Sequence, residues 1–151
     1  MSEAIVKNGE RVEVEDGERA VVSDGGIVYV YAGGEAYVMD RGEAFVMAGG
    51  LVWVYPGGYA RVHAGGEAWV EAGGEVTVLE YGVAYVHAGG VAWVEHGGYA
   101  IVYGCGDAYV EDAGEVYVLA GGEAVVYEGG KATGPGKIVR MGAQIQETHS
   151  Q

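Results

Sequence analysis

One eight-residue phrase constrains this chain more than any other feature. It runs without insertion or deletion from Met1 to Ala132 and is plainest at "GGEAWVEAGGEVTVLEYGVAYVHAGGVAWVEHGG", residues 65–98. Counting octads from Met1, the sixth place is Val in every copy from Val6 to Val126. The fourth is Ala or Val from Ala4 to Ala132, and the second is Gly from Gly26 to Gly130. A short period kept in register is the signature of a solenoid, in which each copy buries its apolar side against the copies above and below it.

The repeat also selects the secondary structure. A glycine every eighth residue costs roughly 1 kcal/mol each inside a helix, whereas the Val, Tyr and Trp enrichment suits strands. Thirty glycines would ordinarily suggest a flexible chain, yet 50% of the residues are apolar and they alternate strictly. In a strand the even places share one face, so the inward side reads Gly, Ala, Val and a small residue. Places three, five and seven point outward and carry the rings. The Gly-Gly pair supplies the corner, where positive φ is needed and a side chain would meet the rung above. The fold class is therefore all-β, a single-chain parallel β-solenoid.

The inward pair Ala-x-Val, as in "AWV" 68–70 and "AYV" 84–86, resembles the small-x-aliphatic pair of the hexapeptide-repeat β-helices, with two more residues in the corner. The chain is likewise similar to the octapeptide-repeat β-solenoids of phage and bacterial sequences. The resemblance implies a packing scheme and carries no catalytic residue across.

Side chains one coil apart stack at roughly 4.8 Å and should resemble one another. A step of 24 residues gives the columns Phe45, Trp69, Trp93, Tyr117 and Tyr37, Arg61, Tyr85, Tyr109, the second placing a guanidinium between rings. A step of 16 gives Tyr37, Trp53, Trp69, Tyr85, Ile101, Tyr117 but mixes Tyr, His and Glu at the seventh place. The sorting favours three octads per coil, with two octads per coil as the alternative; interleaving of three chains predicts no period beyond eight. Three octads per coil would gather Tyr29, Tyr31, Leu51, Trp53, Tyr55, Tyr99, Ile101 and Tyr103 on one apolar wall, large enough to suggest association.

Function is less legible. The net charge of −14 is carried by the repeats, with 22 acidic against 8 basic side chains overall, and a phosphate backbone needs a basic stripe, so nucleic acid is not an expected partner. The first residues have no apolar signal core and no stretch spans a bilayer, which points to a cytoplasmic or virion-associated protein with no membrane partner. Cys105 is the single cysteine and forms no internal disulfide. His63, His87 and Glu111 make a weak metal candidate if three octads form a coil. Their plainer reading is repeated surface residues, and no cofactor is expected. Paired carboxylates are plentiful, but a solenoid without inserted loops offers no cleft for them, so an enzyme is not expected. Phe45, Trp69, Trp93 and Tyr117 could stack on sugar rings.

The pattern breaks after Ala132, at "TGPGKIVRMGAQIQETHSQ". Pro135 cannot donate to a ladder, which divides the chain into a repeat region, 1–132, and a C-terminal cap and tail, 133–151, with "KIVRM" a candidate last strand. The leading expectation is a structural rod or spacer that assembles with itself or within a phage or bacterial assembly. A carbohydrate-binding module is the alternative.

Overall fold

The computed structural model describes residues 2–141, and they form a parallel β-solenoid of 18 strands in two sheets. Ser2–Val6, Glu18–Val22, Glu35–Val38, Leu51–Val54, Glu67–Val70, Val83–Val86, Tyr99–Val102, Glu115–Val118 and Lys131–Thr133 stack in that order as the first sheet. The second sheet stacks Arg11–Val14, Ile27–Val30, Glu43–Val46, Tyr59–Val62, Glu75–Val78, Val91–Val94, Asp107–Val110, Glu123–Val126 and Lys137–Arg140. Successive strands of the chain alternate between the sheets. Each turn is therefore two octads, and the partners one turn apart are 16 residues apart, as in Trp53 with Trp69 and Val54 with Val70.

This corrects the preferred coil of three octads and bears out the two-octad alternative. The physical reason lies in the corner. The N–H of the second-place glycine donates to the carbonyl of the seventh-place residue three positions earlier, as Gly58 to Tyr55 and Gly34 to Tyr31, each at 2.8 Å. That is a β-turn, which reverses the chain, whereas a three-sided coil requires a more open bend at each corner. Ala and Val fill the thin space between the two apposed sheets.

The two glycines of a corner do different work. Gly57 stands at φ 82, in the left-handed region. Gly58 is not there, but a Cβ on it would lie 2.3 Å from the carbonyl oxygen of Val38 on the turn below. Residue type also selects the kind of turn. Asp40 and Arg41 both hold positive φ, 41 and 72, as a type I′ turn requires. Pro56 precedes Gly57, and its fixed negative φ suits the first central position of a type II turn. The corners pair with one another as well: Asp24 donates to Asp40 and Asp40 to Pro56, at 2.7 and 3.1 Å. Proline, lacking an N–H, fits where the next donation passes to Gly57.

Fourth and sixth places form one core. Every sixth-place valine from Val22 to Val118 has no solvent-exposed surface, and the same holds for fourth-place residues such as Ala36, Val52, Ala68 and Val76. The second-place glycines from Gly26 to Gly122 are buried too. The eighth place departs from the expected inward set: Asp24, Asp40, Pro56 and His96 are exposed on the corners, because the β-turn lifts that residue out of the strand's alternation. At the C-terminal end Gly134 to Gly136 shorten the connection, so that Lys137 pairs with Glu123 only 14 residues away. "KIVR" does form the last strand, and Arg140 donates to the carbonyl of Ala132 at 3.3 Å. Residues 142–151 of the expected tail lie outside the described residues.

Candidate functional site

With a core of Ala, Val and Gly, the side chains among the described residues that can contact another molecule sit on outward places and corners. On the first sheet the fifth place reads Val21, Tyr37, Trp53, Trp69, Tyr85, Ile101, Tyr117, an unbroken apolar column across successive turns. The rings stack in pairs. Tyr37 and Trp53 have centroids 5.0 Å apart with planes 16° off parallel, and Trp69 and Tyr85 are 4.3 Å apart. Arg19 closes the column on the N-terminal side, its guanidinium 5.5 Å from the Tyr37 ring centroid and 3.2 Å from the Glu35 carboxylate. Such stacking contributes roughly 0.2–1 kcal/mol per cross-strand pair.

The flanking columns widen this strip. Tyr55 reaches Tyr37 at 6.3 Å, and His87 lies 6.1 Å from Trp69 and 5.0 Å from Tyr103. Leu51, Val83, Tyr99 and Leu119 stand half-buried on the same face. Burial lifts the phenols of Tyr85 and Tyr99 above their ordinary pKa, with Glu67 adding to it at Tyr85 and Glu115 at Tyr99. The face thus favours neutral, partly desolvated rings.

The second sheet is different in its middle. Tyr29 stacks on Phe45 at 5.0 Å and Trp93 on Tyr109 at 4.4 Å. Between those pairs stand Arg61 and Thr77. Thr77 is buried and shares a short hydrogen bond with the Tyr59 hydroxyl, while the indole N–H of Trp93 donates to Glu75 at 2.7 Å. Asp107, on this face, has its carboxyl pushed up by burial first and then by Glu123. His63 is pushed the other way, by burial and then by Arg61.

The columns drawn at a 24-residue step do not exist, since that step crosses from one sheet to the other. Of the expected wall, Leu51, Trp53, Tyr55, Tyr99, Ile101 and Tyr103 share the first sheet, and Tyr29 and Tyr31 lie on the second. Of the rings considered for sugar stacking, Trp69 and Tyr117 face one way and Phe45 and Trp93 the other. His63 and Glu111 are on the second sheet and His87 on the first, so the two imidazoles cannot share an ion. Arg61 lies between Phe45 and Thr77 and not between tyrosines. The residues missed by the 24-residue sorting are Tyr37, Trp69, Tyr85 and Tyr117, which join Trp53 and Ile101. The 16-residue step contained that signal.

Comparison with known proteins was equally sparse. No protein-family model matches this chain, and no curated protein does. Among solved structures, one described as the crystal structure of a TibC-catalysed hyper-glycosylated TibA fragment aligns with 93% of this chain and 72% of its own, at 24% identity and a TM-score of 0.41.

Proposed function

We propose that the protein is a structural β-solenoid that associates with a second copy of itself through the outward face of the first sheet. The observation that supports this reading is the unbroken column from Tyr37 to Tyr117, widened by Leu51, Tyr55, Val83, Tyr99, Tyr103 and Leu119. Nine strands stacked at roughly 4.8 Å, each presenting about five residues at 3.3 Å, offer on the order of 600 Å² per copy. Two such faces bury about 1,200 Å², the lower bound of a stable specific interface. A second copy is the fitting occupant because the face is flat, repetitive and self-complementary about a twofold axis. Its carboxylates, such as Glu67, Glu71 and Glu115, stay at the rim places three and seven.

Sedimentation of the parent and of a Trp53→Glu, Tyr103→Glu double variant tests this. The parent should sediment as an assembly and the variant as a monomer with unchanged β-sheet circular dichroism. A monomeric parent, or a variant that keeps the parent's mass, would remove the reading.

A further inference from the structure

The repeat breaks one of its strictest rules at a single end of the solenoid. The second place of the octad is glycine from Gly26 to Gly130, but Glu10 and Glu18 hold it in the second and third copies. The turn beneath excludes a side chain from the glycines. A Cβ on Gly26 would lie 2.3 Å from the carbonyl oxygen of Val6, and one on Gly34 2.5 Å from that of Val14. Ser2–Val6 and Arg11–Val14 are the end strands of the two sheets on this side. Among the described residues, therefore, no sixth-place carbonyl lies beneath Glu10 or Glu18.

Their side chains take over a bond that such a turn would make. In the repeat the seventh-place N–H donates to the sixth-place carbonyl one turn below, as Ser23 to Val6 at 3.0 Å and Tyr31 to Val14 at 2.8 Å. Lys7 and Glu15 are the seventh-place residues of the first turn. Their N–H groups donate instead to the carboxylates of Glu10 and Glu18, at 3.1 and 2.8 Å. Glu10 and Glu18 return the bond through their own N–H groups, to the carbonyls of Lys7 and Glu15 at 3.1 and 2.8 Å. This exchange between residues three apart is the reciprocal pair of the helix capping box, built here at the end of a sheet. An open sheet edge is a template for another chain, and this edge adjoins unfinished core: Ala4 and Val12 are only partly buried, whereas Ala20 and Val28 one turn up are fully so.

We propose that Glu10 and Glu18 are a stop on end-to-end assembly, closing this edge against the terminal turn of a second copy. A second copy is the entrant that fits, because its octads carry backbone carbonyls and small inward residues at the spacing of both sheets. The stop acts in two ways. The carboxylates occupy two donors of the edge, and the Cβ atoms stand where an entering sixth-place carbonyl must lie, the contact that keeps side chains off Gly26 and Gly34.

The test is made in the Trp53→Glu, Tyr103→Glu background, so that lateral contact contributes nothing and either reading can fail alone. Glu10→Gly with Glu18→Gly removes both carboxylate and Cβ. This pair should form rods longer than one solenoid, growing with concentration in sedimentation and visible by electron microscopy. Glu10→Ala with Glu18→Ala removes the acceptors and keeps the Cβ atoms. It should form no rods, while hydrogen exchange at the Lys7 and Glu15 amides quickens about fivefold. Glu10→Gln with Glu18→Gln keeps an acceptor oxygen and should match the background in both measurements. A glycine pair that folds and forms no rods overturns the proposal. So do rods in the background, the alanine pair or the glutamine pair. Should the glycine pair lose its β-sheet circular dichroism, exchange decides: faster amides in the alanine pair than in the glutamine pair support the cap, and equal rates overturn it.

Discussion

The two sheets share one core and one repeat, yet their outward columns diverge. On the first, rings and aliphatic side chains follow one another from Tyr37 through Trp53, Trp69, Tyr85 and Ile101 to Tyr117. On the second, Arg61 and Thr77 interrupt the column between Tyr29–Phe45 and Trp93–Tyr109, and hydrogen bonds replace stacking there. The inward residues tolerate almost no variation because each valine touches the turn above and below. The outward places meet only their column, so they vary without disturbing the fold. A solenoid of this kind keeps a single architecture while its faces acquire separate chemistry.

The largest expected effect tests whether the faces truly share a core. Val70→Asp on the first sheet and Val94→Asp on the second each place an unpartnered charge where no solvent reaches. Both should destabilise by more than about 4 kcal/mol and abolish cooperative urea unfolding. If only one did so, the sheets would not be packed as equals. Next come the corner glycines. Gly58→Ala forces a Cβ against the Val38 carbonyl and should cost about 3 kcal/mol by overpacking. Gly17→Ala, whose added Cβ meets no atom within 4 Å, strains only its φ of 82 and should cost roughly 1–2 kcal/mol. Equal losses in chemical denaturation would contradict this division of labour.

A smaller effect would erase the difference between the faces. Arg61→Tyr with Thr77→Val fills the gap on the second sheet with an aromatic and an aliphatic residue. Each new cross-strand contact should add roughly 0.2–1 kcal/mol, and the variant should sediment as a larger species than the parent if a continuous column promotes association. The converse, Trp69→Arg, should weaken association while leaving the circular dichroism unchanged.

The smallest effects come from titration, and they separate the faces by pH. Tyr85 and Tyr99 on the first sheet have raised pKa values from the ordinary 10.0. The unfolded chain therefore loses these protons first as pH rises, and stability present below about pH 10 declines above it. His63 on the second sheet is lowered from 6.5, so its contribution is present above that pH and is lost as pH falls through the depressed value. Urea midpoints followed across pH should show the alkaline loss reduced by Tyr85→Phe and the acid loss reduced by His63→Gln. A profile unchanged by both substitutions would show that these groups titrate alike in folded and unfolded chains.

Alternation of Ala and Val with rings, and Gly-Gly at each eighth residue, determined from the sequence alone that the chain forms short parallel strands with the small residues inside. The same pattern located the corners between the octads. The number of octads per turn was not legible in that way. Rings recur at the fifth place of most octads, so a step of 16 or of 24 yields an aromatic column, and similarity along a column cannot choose between them. The choice was made by the corner, where the hydrogen bond from Gly58 to Tyr55 closes a β-turn and reverses the chain. With that reversal His63 and His87 face opposite ways and Trp53 stacks in the column of Trp69. Sequence alternation records which side of a strand a residue occupies. Tertiary structure decides which residues become neighbours, because that depends on the angle through which each corner turns the chain.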